Sequence, residues 1–391
     1  MSGIAPGQNR QRNLQIDVLR AVAILMVLLC HTVYLRKPTW DEPLWRAGWS
    51  GVDLFFVISG FLIAGLLFSE YRREGQIHFS RFFIRRAFKI YPAFYAIILI
   101  TVIPGLLSSH AGWSGWRPLL NDVLFMQSYW PGTWGHFWSL SVEEHFYLLL
   151  PLALWVMLRR AKGQPDPFRR LPALFVAVAV CALVARLWTA RYVPFSWQTH
   201  LFPTHLRLDS LLFGVVLAYY FHFHQEWLAA FVTQHRGKLA WAAAVLLAPL
   251  FLVSQYDRWM YTYGFATTFL GYGCLLLVFL YTQISANEWV LRPVKLLAYV
   301  GQFSYSIYLW QGQWLAVTEH IAGGNMAARL VCFYVGSILL GILAGKLIEV
   351  PALRLREAWF PREVRPSPDF KLKTSTKSIG AISVPAADPS V

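Results

Sequence analysis

Charge is scarce in this chain. Of its 391 residues only 14% are Asp, Glu, Lys or Arg, where a soluble domain carries about 25%. That deficit excludes an ordinary soluble domain with a solvated face on every side. Acid is scarcer than base, 20 residues against 35, which leaves a net charge of +15. Such a balance in a soluble protein would raise nucleic acid as a partner. Here the basic residues stand between apolar blocks, so no nucleic-acid partner is expected. Cysteine is also sparse. Cys30, Cys181, Cys274 and Cys332 all fall inside apolar blocks, with spacing that suits neither a disulfide framework nor a zinc site. They read as small buried apolar residues, and no metal is expected. No internal repeat is evident, and no cleavable signal peptide. The first apolar block, residues 16–35, is too long for a signal core and has no small-residue cleavage site after it.

What the chain has instead is hydrophobic length. Hydrophobic residues make up 57% of it and aromatics 16%, with a mean hydropathy of +0.44. They come in blocks of about 20 residues, the thickness of a bilayer core. The blocks lie near 16–35, 50–69, 88–107, 141–158, 172–190, 205–223, 239–255, 263–283, 296–317 and 328–348. The expected fold class is therefore all-α, a polytopic membrane bundle of about ten transmembrane helices. Loop charge gives its orientation. Arg72, Arg73, Arg81, Arg85, Arg86 and Lys89 follow the second block, and Arg159, Arg160, Lys162, Arg169 and Arg170 follow the fourth. Arg236 and Lys238 follow the sixth, and Arg292 and Lys295 the eighth. The alternate loops are poorer in base. The positive-inside rule then puts both termini on the cytoplasmic side. A Trp-rich outer segment over 108–140 suits the headgroup level. The tail from 358 to 391, rich in Ser, Pro, Ala and Lys, reads as disordered.

Ionisable side chains inside a bilayer are costly and call for a reason. Arg20 and His31 in the first block are 11 residues apart, close to three helical turns. They share a face, separated by roughly 16 Å along the axis. Asp17 is one turn before Arg20 and can pair with it. Snorkelling explains Arg20 alone, and an interhelical hydrogen bond explains His31 alone. Placed together on one face, they also suit a binding cation and a base or acyl acceptor. Asp53 enters the second block at the depth of His31, either as an interfacial carboxylate or as the partner that orients the imidazole. In the fourth block Ser141 and Glu144 have capping-box spacing, while Glu143 has no such explanation and is the better catalytic candidate. Arg86 and Lys89, in the basic run before Tyr91-Pro92, read either as topology plus attraction to anionic lipid or as a phosphate clamp. Arg207 and Asp209 open the sixth block as a candidate ion pair lining a cavity.

Seven segments share one resemblance: IDVLRAVAILMVLLCH, GVDLFFVISGFLI, FIRRAFKIYP, FWSLSVEEHFYLLLP, RLDSLLFG, GQFSYSIYLW and KLIEVPALRLR. In this order, from about residue 14 to 357, they resemble the acyltransferase 3 family of membrane-bound acyltransferases. The resemblance implies a membrane domain over 14–357, a cytoplasmic segment over 1–13, and transfer of an acyl group, commonly acetyl, from a coenzyme A thioester. The implied acceptor is a hydroxyl of an extracytoplasmic carbohydrate or glycolipid, and the implied location is a bacterial inner membrane. The family's Arg-ten-residues-His motif maps onto Arg20 and His31, and its acidic position onto Glu143 with Glu144 beside it. Three departures stand out. The paired arginines before Tyr-Pro are Arg86 and Lys89 here, which loses one bidentate fork. His145 stands where Gln is usual, and Gln311 where many members have His.

These readings combine into one expectation. Acetyl-CoA, as co-substrate, holds its phosphates on Arg86, Lys89 and Arg20 and runs its pantetheine arm along the first helix to His31. Glu143, with Asp53, orients the imidazole. Glu144, Arg207 and Asp209 are expected to contact substrate, and membrane lipids surround the bundle. The alternative is a multi-pass glycolipid transporter or flippase, which would also need charges near the midplane.

Overall fold

The computed structural model describes residues 13–35, 43–108, 115–161, 164–284, 287–321 and 325–360. The segment 1–12, the tail from 361, and Lys162 in the fourth loop lie outside the described residues. Among those described there is no strand. The long helices are α1 (Leu14–His31), α2 (Gly51–Glu74), α3 (Phe79–Ser108), α4 (Trp138–Arg160), α5 (Leu171–Tyr192), α6 (Leu208–Phe223), α7 (Gln225–Leu247) and α8 (Phe265–Leu280). They are followed by α9 (Glu288–Gln302), α10 (Ser304–Ile321), α11 (Met326–Ala344) and α12 (Val350–Trp359).

Each of the ten apolar blocks coincides with helix, and among the described residues six helical stretches are long and apolar enough to cross a membrane: Leu14–His31, Leu44–Glu74, Gly135–Arg160, Leu171–Tyr192, Met260–Leu280 and Met326–Trp359. Three of the others fall short for visible reasons. α6 has only 16 residues, α7 carries His235, Arg236 and Lys238, and α10 is interrupted by Gln311, Gln313 and Glu319. The ninth block proves to be two helices. α9 ends at Gln302, and α10 begins after Phe303, where the backbone leaves helical geometry.

Local chemistry sets the helix ends. The Asn13 side chain accepts from the Ile16 N–H at 3.3 Å. Asn325 accepts from Ala327 N–H at 2.9 Å and Ala328 N–H at 3.3 Å. Both satisfy donors that the first turn leaves without partners. α4 does not start at the expected capping box. It begins at Trp138, so Ser141 is already helical, and its hydroxyl donates to the Phe125 carbonyl. Glu144 therefore needs another explanation.

Packing at the centre depends on small residues. A Cβ at Gly60 of α2 would lie 1.9 Å from the Leu211 carbonyl oxygen, and one at Gly214 of α6 would lie 2.2 Å from that of Val57. With lipid outside as apolar as the helices themselves, close backbone approach is what holds such a pair. α1 packs between α2 and α9.

Candidate active site

Two cavities are stacked along α1. The first, of about 440 Å3, is lined by Arg20, Ser59, Arg86, Lys89, Glu143 and Tyr305. It follows α2 from Val52 to Ser69, about 25 Å of helix at 1.5 Å per residue. The second, of about 540 Å3, contains His31, His136, Arg207 and Gln311 among aromatic walls that include Trp134 and Trp197. Val52 and Tyr308 line both cavities. The Tyr308 hydroxyl accepts from Ser139 at 2.6 Å and donates to the His136 carbonyl, which fixes it in the wall between them.

In the first cavity the charges are held by a relay of hydroxyls. Ser59 bonds the Tyr147 hydroxyl at 2.5 Å, and Tyr147 donates to Glu143 Oε2 at 2.7 Å. The Arg86 guanidinium lies 4.0 Å above the Tyr147 ring, a cation–π contact, and its buried Nε has no hydrogen-bond partner. Lys89 is already engaged, since it donates to Glu349 Oε1 while Ser306 donates to Glu349 Oε2 at 2.9 Å. Of Arg86 and Lys89, Arg86 has no carboxylate in salt-bridge contact among the described residues, whereas Lys89 has Glu349. Arg20 lies 3.6 Å from Asp17, the pairing expected from their spacing. Glu144 accepts from the Tyr91 hydroxyl at 3.1 Å.

The second cavity corrects two expectations. His31 Nδ1 bonds Gln311 Oε1 at 2.9 Å. The amide oxygen can only accept, so Nδ1 is the donor and Nε2 keeps its lone pair, the arrangement of a base held by an orienting partner. That partner is neither of the acids proposed for it. Asp53 instead takes Arg207 Nη2 at 2.6 Å, and Glu143 lies in the first cavity with Tyr147. Arg207 and Asp209 do not pair with each other either. Asp209 is held by Arg186 Nη2 at 2.6 and 2.8 Å. Both guanidiniums stand over the Phe265 ring, at 3.9 Å for Arg207 and 5.0 Å for Arg186. All four charged side chains are 1% exposed or less, so each needs its partner to remain charged without water.

Two residues escaped the sequence reading. Arg186 is a lone cation inside an apolar block, and that isolation was itself the signal. His136 is half-buried, with its ring centroid 6.1 Å from that of His31 at an interplanar angle of 69°. It lies ahead of the fourth block in a stretch read as interfacial, and nothing in its local pattern marked it. His145 bonds Thr204 Oγ1 at 2.7 Å and does not line either cavity. Glu70, Glu74 and His78 group closely enough to hold a metal, but Arg81 lies within salt-bridge distance of both carboxylates and Arg73 bonds Glu74.

The site is that of an all-helical membrane protein with a cationic cavity on one level and an imidazole on the next. A family model described as an acyltransferase domain matches residues 13–346, and the chain belongs to that family. Peptidoglycan O-acetyltransferase OatA of Listeria monocytogenes is 28% identical over 366 residues, covering 86% of this chain and 55% of the relative. O-acetyltransferase OatA of Staphylococcus aureus is 28% identical over 312 residues, 75% of this chain and 49% of the relative. A further Staphylococcus aureus protein, bearing a provisional O-acetyltransferase name, is 25% identical over 380 residues, 90% of this chain and 60% of its own length. The chain thus spans about half to three fifths of the relatives it matches. No solved structure matches it.

Proposed function

We propose that the chain is a membrane-bound O-acyltransferase that moves an acyl group, acetyl, from a coenzyme A thioester to a hydroxyl of an extracytoplasmic carbohydrate or glycolipid. The observation that carries this reading is the pair of cavities sharing Tyr308 and Val52, with Arg86 in one and His31 in the other. Family membership and the names of the relatives point the same way. Ten spans with cytoplasmic termini, in a bacterial inner membrane, complete the reading. The six strong spans and the alternating loop charge support it, the first cavity then facing the cytoplasm.

Donor phosphates bind Arg86, with Arg20 and Lys89 beside it, through charge-assisted hydrogen bonds. The pantetheine arm extends along α2 toward Tyr308, which brings the thioester to His31. There the Nε2 lone pair takes the proton of the acceptor hydroxyl, the oxygen attacks the thioester carbon, and the C–S bond breaks. The proton on His31 passes to the departing thiolate, so the imidazole ends as it began. Trp134, Trp197 and their aromatic neighbours give the acceptor sugar flat apolar faces to lie on, and Arg207 offers N–H donors at the cavity wall. Glu143, hydrogen-bonded to Tyr147 and close to Arg86, keeps the donor channel ordered.

The test is acetyl transfer and thiol release by purified protein in detergent, where transport has no meaning. Wild type is expected to turn over acetyl-CoA in the presence of a sugar acceptor. His31→Ala should lose at least about a hundredfold in kcat, the range for a general base. Arg86→Ala should raise the KM for acetyl-CoA more than it lowers kcat. Wild-type protein that binds acetyl-CoA no better than the Arg86 variant would sink the assignment.

A further inference from the structure

A third cavity, of about 750 Å3, lies away from both of these, between α4 and α5. These helices are consecutive, yet α5 leans on α6 instead of α4. Phe175 meets Phe213 at 5.3 Å, and Arg186 anchors to Asp209. The result is an open cleft walled by Leu149, Ala153, Leu174 and Val178, with Leu208 and Leu212 of α6 as its floor. Only 17% of the apolar window of α5 is buried within the protein, so this surface is made to be covered by something outside the chain. One end of the cleft is different. Arg160, Arg169 and Arg170 line it. All three are exposed, and none has a carboxylate partner among the described residues.

We propose that this cleft is a binding site for an anionic glycerophospholipid, one acyl chain lying between α4 and α5 and the phosphate held by Arg160, Arg169 and Arg170. The two parts of the site match the two parts of that molecule. An apolar groove open to the bilayer takes a hydrocarbon chain without displacing water. Three guanidiniums lining one end of the groove, without carboxylate partners among the described residues, can form charge-assisted forks to phosphate oxygens. A zwitterionic lipid offers the same chains, but its own ammonium offsets the phosphate. A free phosphate ion offers the charge without the chain. The site is independent of the transfer reaction and does not rest on it.

The experiment is native mass spectrometry of the full chain, released from mixed micelles of dioleoyl phosphatidylglycerol and dioleoyl phosphatidylcholine at equal amounts. Wild type is expected to retain the anionic lipid about tenfold over the zwitterionic one, in keeping with a stabilising increment from each nearby basic residue. Arg160→Gln, Arg169→Gln and Arg170→Gln together should bring that ratio close to one. A control that removes the same charge elsewhere, Arg236→Gln with Lys238→Gln and Arg292→Gln, should leave it high. Ala153→Trp, which fills the groove, should lower retention of both lipids. Equal loss in the control would reduce the effect to bulk charge and overturn the site. Unchanged retention in Ala153→Trp would do the same, as would a mass showing that a second copy of the chain covers the cleft.

Discussion

The Gln311 amide that accepts from His31 Nδ1 is neutral, so it fixes the ring and its tautomer without adding charge beside it. Gln311→Ala should therefore lower kcat by about tenfold or more while leaving the KM for acetyl-CoA near its wild-type value, because only the orientation of the base is lost. The paired charges behind the second cavity respond differently. Asp53→Asn leaves Arg207 buried without its counter-charge, a change that costs about 3–5 kcal/mol. Thermal unfolding of the purified variant should show it, and replacing both partners, Asp53→Leu with Arg207→Met, should restore much of the loss. Half of this residue-scale picture was legible in the sequence. Arg20 and His31 declare themselves because a helix brings residues 11 apart onto one face. Their partners do not, since Gln311 is 280 positions from His31 and Arg207 is 154 from Asp53. Only the packing of distant helices decides such pairs, and for this reason the sequence pointed to acids beside His31 where the structure has the Gln311 amide.

Helices were readable from hydropathy, but their joints were not. Every apolar block is helical, because within a bilayer a single 20-residue segment satisfies its own backbone polar groups only as a helix, a β-strand needing a closed barrel of neighbours. The break at Phe303 falls within Gly301-Gln302-Phe303-Ser304, a polar stretch too short to divide the apolar block by hydropathy. So is the contact between α2 and α6, where Gly60 and Gly214 allow two backbones to meet. Gly60→Val should push these helices apart and lower the yield of monodisperse protein in detergent. The same substitution at Gly237, which has no neighbour within 4 Å of its Cβ position, should be tolerated. Size-exclusion profiles of the two variants compare them directly. Equal profiles would show that the α2–α6 contact does not hold the bundle together.

Across the whole molecule, the charged and titratable groups are arranged with polarity along α1. Arg86 and Lys89 line one cavity, His31 and Gln311 the next, and α1 joins the two levels through Arg20 and His31. Loop charge predicted an orientation, and the order of the cavities along α1 gives that orientation a chemical use. On the proposed topology, cysteines placed at Gln76 and at Arg292 should react with an impermeant thiol reagent only from the cytoplasmic side. The central claim is that donor and acceptor meet from opposite faces. Its most direct test uses sealed, uniformly oriented vesicles containing the protein, with labelled acetyl-CoA on the Arg86 side and a membrane-impermeant sugar acceptor on the other. Acetylated acceptor is expected in that compartment with wild type and not with His31→Ala. Acetylation only when donor and acceptor share one compartment would contradict it.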